Sequence, residues 1–84
     1  MTTFSVYTLD FGVPTFFTDL EAVALSWDDA VAKAEALRKE YPSDPIGPIM
    51  VNDQTGENFK FNKQGVFGAA DQVYVQAKAQ LPLL

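Results

Sequence analysis

The side chains that do most enzymatic work are missing from this sequence. Histidine and cysteine are both absent from its 84 residues. That removes every Ser-His-Asp and Cys-His nucleophile arrangement, together with the commonest ligands of zinc and other transition metals. Acid–base chemistry would fall to carboxylates, lysines and tyrosines. Two carboxylate arrangements come closest to a site. Asp28 and Asp29 are adjacent, but neighbouring helix residues point about 100° apart and are poorly placed to share a ligand. Both follow Ser26, where the start of a helix favours negative charge, and that role explains them. Asp53 and Glu57 flank a turn without the acidic spacing of a calcium loop. Neither common glycine-rich phosphate cradle occurs. The expectation is a chain that is no enzyme and takes no cofactor and no metal.

In place of catalytic groups the chain carries rings. It has eleven aromatic residues, and each ring buries roughly 150–250 Å². That is more than a core of this size comfortably hides, and surface aromatics mark interfaces. Phe16 and Phe17 are adjacent, so in a strand they point to opposite faces. Phe11 falls in a turn, and Phe67 lies between Gly65 and Gly68. With Tyr74, these are the candidate partner-binding residues. They anchor an interface, or they are buried beneath the C-terminal segment.

Net charge is −5, and the six lysines and arginines are scattered. Nucleic acid and anionic membrane both require a basic footprint, so neither is expected as a direct partner. A basic protein surface suits this charge, as does plain solubility. No apolar run approaches the roughly 18 residues of a membrane span. The start of the chain lacks the basic and apolar regions of a signal peptide. A cytoplasmic location is the resulting expectation. Apolar residues make up 48% and charged residues 20%, which argues for a folded core rather than disorder. At this length the core belongs to one domain, residues 1–84, with a thin margin of stability and no disulfide to support it.

The elements that must position these residues read as follows. Phe4–Leu9 alternates as a strand. Asp10–Pro14 supplies a turn, and Thr15–Thr18 returns as a second strand. Asp19–Leu25 is ambiguous: Leu20, Val23, Ala24 and Trp27 recur at helical spacing, so the segment either extends the main helix or precedes it. Ser26 with Asp29 three residues later forms an approximate capping box, which starts the main helix near Trp27. Trp27, Ala30, Val31, Ala34, Leu37 and Tyr41 make its apolar stripe. Pro42 and Pro45 end it. Pro48–Asn52 and Asn58–Asn62 are strands joined by the Asn52–Gly56 turn, with Phe59 and Phe61 on one face. Asn62–Gly65 turns again. Gln72–Lys78 reads as a strand in preference to a helix. The apolar Leu81–Leu84 tail packs on its own core or on a second subunit.

The run Leu25–Ala34, followed by Ile49–Glu57 with its Asp53-Gln54-Thr55-Gly56 turn, resembles small phage and prophage proteins. These place one helix between short strands. Anti-CRISPR proteins belong to that pool and are similar in size, acidity and lack of catalytic motifs. The likeness covers the layout of residues 4–62, and no functional residue carries over from it. It implies a stoichiometric inhibitor that blocks a host defence complex by occupying a protein surface.

The expected fold is α+β: an antiparallel sheet of four or five strands with one main helix on one face. Trp27, Val31, Ala34 and Leu37 should meet Ile49, Val51, Phe59 and Phe61. The expected function is a protein-binding module of inhibitor or adaptor type. The alternative is a structural or self-assembling subunit that uses its tail and rings as a homo-oligomer contact.

Overall fold

The computed structural model describes residues 2–9, 18–43 and 46–76. Their elements in chain order are β1 (Phe4–Leu9), β2 (Thr18–Ala24), α1 (Trp27–Glu40), β3 (Ile49–Asn52), β4 (Asn58–Phe61) and β5 (Phe67–Ala69). The strands form one sheet in the order β2-β1-β3-β4-β5, and every neighbouring pair is antiparallel. One helix packs on this five-stranded sheet, which is the α+β layout expected. Because β2 and β3 both run against β1, they run in the same direction, and α1 makes the crossover between them.

The start of α1 follows from its cap. Ser26 is extended (φ −146, ψ 160), and its Oγ accepts from the Asp29 N–H. Asp28 and Asp29 fill the first turn and Arg38 and Lys39 the last, as the helix dipole prefers. Asp29 also pairs with Lys33 one turn on, at 2.7 Å. The face turned to the sheet buries only Ala30 and Ala34 completely, so the helix axis can approach closely. Under it lie Val6, Ala24, Met50 and Phe61, flanked by Phe4, Ala22, Val31, Leu37, Phe59 and Phe67.

The opposite face of the sheet has its own core. Ile49 and Val51 are fully buried there against Tyr74 and Val75, with Tyr7, Leu9, Ile46 and Ala70 packed around them. This corrects one expectation. Ile49 and Val51 do share a face, but Met50 is the β3 residue that meets the helix. Both faces of the sheet are covered, so the alternation along β3 does not reveal which face belongs to α1.

Three further expectations change. Residues 19–24 are strand, not an extension of the helix, while the helix does begin at Trp27. Phe67–Ala69 supplies the fifth strand. Residues 72–76 are not a strand; they bend across the sheet and are held there by Asn58. This buried side chain donates to the carbonyls of Gly56 and Val75 and accepts from the N–H groups of Tyr74 and Val75, all at 2.8–2.9 Å. Asn58 thus offers one donor–acceptor pair to Val75, as a neighbouring strand would. Residues 15–17, 77 and 78, parts of two expected strands, and the Leu81–Leu84 tail lie outside the described residues.

Both hairpins after α1 turn on an asparagine. Asn52 Oδ1 accepts from the N–H of Gln54 and Thr55, and Asn62 Oδ1 from those of Gln64 and Val66. Each turn then closes through a glycine at positive φ, Gly56 (79°) and Gly65 (81°), where a Cβ would be strained.

Candidate protein-docking edge

Asp53 and Asp29, from the two carboxylate arrangements weighed above, are engaged by structural partners. Asp53 accepts from the hydroxyls of Thr3 and Ser5 at 2.7–2.8 Å, tying the start of β1 to the first turn after β3. The Asp29 carboxylate pairs with Lys33 within α1. Among the described residues no group of three or more acidic side chains is placed to hold a metal ion. No helix among them is long and apolar enough to cross a membrane.

The candidate partner-binding rings do not form one surface. Phe67 is half-buried on the α1 side, with its ring 4.7 Å from that of Phe61 and 5.7 Å from that of Trp27. Trp27 caps this cluster, edge-on to Phe59 at 4.9 Å and to Phe4 at 6.1 Å. Tyr74 lies on the other side of the sheet and is buried, with Lys60 Nζ 5.5 Å over its ring and 3.4 Å from its hydroxyl. Phe11, Phe16 and Phe17 lie outside the described residues.

The exposed apolar side chains gather instead along β2, the edge of the sheet. Its inner neighbour is β1, and among the described residues nothing pairs with its outer side. Ser5 faces Val23 and Tyr7 faces Leu20, while Val6 faces Ala22. Glu21 therefore has no opposite residue and forms a bulge. The bulge keeps Ala22 and Ala24 toward α1 and sends Leu20 and Val23 to the other face. There they stand beyond Tyr7, 55% and 50% exposed. Leu25, 66% exposed, follows directly after the strand, and the half-open Trp27 comes next on the α1 side.

The α1 side of the same edge is acidic. Thr8, opposite Asp19, donates its hydroxyl to Glu21 Oε2 at 2.9 Å. Tyr41, just past the end of α1, reports the local field. Its phenol is held above the ordinary value of 10.0, first by the charge of Glu40, then by lost hydration and the charge of Glu21. No lysine or arginine occurs between residues 18 and 26. The edge thus presents carboxylates on one side, apolar side chains on the other, and between them backbone groups that nothing pairs among the described residues.

Sequence reasoning left Asp19–Leu25 ambiguous, with Leu20 and Val23 at helical spacing, and so missed this edge. The available signal was Glu21, a charge interrupting an otherwise apolar run between two turn regions. Comparison with protein-family models, with curated proteins and with solved structures finds no match.

Proposed function

We propose that this chain is a protein-binding module, an inhibitor or adaptor that acts by occupying a partner's surface through its β2 edge. One observation carries this reading: Leu20 and Val23 stand half-exposed on an edge strand whose outer side is unpaired among the described residues. Natural edges of this kind are normally shortened, covered or made unattractive to other chains. The reading involves no catalytic step. The similarity of layout to phage-encoded accessory proteins directs the first search toward host defence complexes, whose inhibition is one form of the same activity.

The test is capture by the immobilised full chain from bacterial lysate, run beside a Leu20→Lys/Val23→Lys variant. Both positions are exposed, so the fold should tolerate the changes. The expected result is a partner recovered in stoichiometric amount by the wild type and lost with the variant. Recovery of nothing, or of a partner that the variant retains equally, would overturn the assignment.

A further inference from the structure

We infer that the outer edge of β2 accepts an extended basic segment of the partner as a sixth strand, one that alternates cationic with apolar residues. This rests on the docking role of the edge proposed above and specifies the chemistry of what docks. Seven residues of β2 span about 23 Å, enough for a partner strand of similar length. In a paired strand the side chains alternate between the two faces. On the α1 side, the incoming residues meet Asp19 and Glu21, with Glu40 within electrostatic reach of the same area. On the other side they meet Leu20 and Val23. Opposite charges and apolar pairs across neighbouring strands are the contacts that stabilise a ladder. Main-chain hydrogen bonds supply the common part of such an addition, and the alternating side chains supply the selection.

A second copy of β2 is a poorer fit. A second copy of β2, paired antiparallel about Leu20, sets Asp19 against Glu21. Paired about Glu21, it sets that carboxylate against itself. Like charges directly opposite one another destabilise a sheet, and the chain's net charge of −5 adds to the repulsion. The remaining segments of the chain lack the pattern. Residues 10–17 contain no cation, and residues 77–84 contain only Lys78 and are interrupted by Pro82. The complementary strand is therefore assigned to a partner.

The experiment is a titration of the isotope-labelled full chain, followed by backbone amide resonances and amide exchange. The probes are an eight-residue peptide alternating lysine with valine and its counterpart alternating glutamate with valine. The expected result is that the lysine peptide shifts resonances of residues 18–24 and protects the outward amides of β2, while the glutamate peptide does neither. An Asp19→Lys/Glu21→Lys variant should weaken the lysine peptide about tenfold and acquire binding of the glutamate peptide. That swap of preference is not the behaviour of a merely damaged fold, and the wild-type comparison needs no variant at all. Equal response to both peptides, shifts centred elsewhere, or no shift at millimolar peptide would overturn the inference. So would outward amides of β2 already protected in the dilute free chain, which would mean that its own segment occupies the edge. Protection that rises with chain concentration alone would assign the edge to a second copy and overturn it equally. If the peptides fail while a lysate partner is still lost on Leu20→Lys/Val23→Lys, the docking role stands and strand addition falls.

Discussion

Replacing Asn58 by alanine should be among the most damaging single changes in the described part of this protein. The substitution removes four hydrogen bonds at once, two donated and two accepted. If residues 70–76 stay in place, the N–H groups of Tyr74 and Val75 lose their acceptor within residues only 8% exposed. A stranded buried polar group costs about 1–3 kcal/mol, so the two N–H groups alone account for about 2–6 kcal/mol. If the segment lifts away instead, Ile49, Val51, Tyr74 and Val75 lose cover. Full burial of such a side chain is worth about 1.5–3 kcal/mol, partly offset by the freedom the segment regains. The first route costs at least about 2 kcal/mol. A domain of 84 residues has a total stability of about 4–13 kcal/mol, so the change removes a large share of it.

Urea unfolding followed by the fluorescence of Trp27, the only tryptophan, gives the global loss. Amide exchange at Tyr74 and Val75 gives the local one. The two routes separate cleanly. If the segment stays, the midpoint falls and the urea dependence is unchanged. If it lifts, the native state already exposes apolar surface and the dependence falls as well. A loss below about 1 kcal/mol, with Tyr74 and Val75 still protected, would refute the assignment of Asn58 as the clamp on this segment.

Three further outcomes are expected. Ser26→Ala removes the acceptor of the Asp29 N–H and should cost about 1 kcal/mol, read as a lower urea midpoint. Ala34→Leu forces a larger side chain between α1 and the sheet at a fully buried position; a loss of about 1–3 kcal/mol is expected, whereas Ala36→Leu on the exposed side should be nearly neutral. Tyr41 should ionise above 10.0 because Glu40 and Glu21 oppose its negative form. Since its folded value is the raised one, its contribution to stability is full below the unfolded value and is lost as pH rises through the folded one. Glu40→Gln should lower its titration midpoint, as read by tyrosinate absorbance against a Tyr41→Phe control.

How much of this was legible in sequence depended on how local each cause was. The start of α1 was readable because Ser26, Asp28 and Asp29 act on their own backbone within one turn. The turns at Asn52–Gly56 and Asn62–Gly65 were readable for the same reason. β2 was not, and its bulge explains why. One extra residue at Glu21 lengthens the gap between Leu20 and Val23 from two positions to three, so an edge strand acquires the spacing of a helix. β5 was illegible because Phe-Gly-Ala carries little strand preference; pairing with β4 makes it a strand. The alternation over residues 72–76 misled, because consecutive Tyr74 and Val75 are both buried under the control of a single distant amide. A sheet covered on both faces has two cores, and among the described rings only Trp27 and Tyr41 remain substantially exposed.

The two edges of this sheet differ in a way that bears on what the protein can do. β5 is three residues long, too short to template another chain effectively, and the chain leaves it at once to cross the sheet under the hold of Asn58. β2 is seven residues long and, among the described residues, is defended only by a bulge and by carboxylates. Those are defences against copies of itself, because repulsion between carboxylates acts only on a partner that is also acidic. Against a cationic strand the same groups become the attraction. A single set of residues can therefore keep an acidic domain from pairing with itself and still leave one edge open to a basic partner. Edge charge that blocks self-pairing and edge charge that selects a partner are one physical term read with opposite signs. This is why reversing Asp19 and Glu21 should do two things together: exchange the peptide that binds, and retain the repulsion between copies, now between lysines.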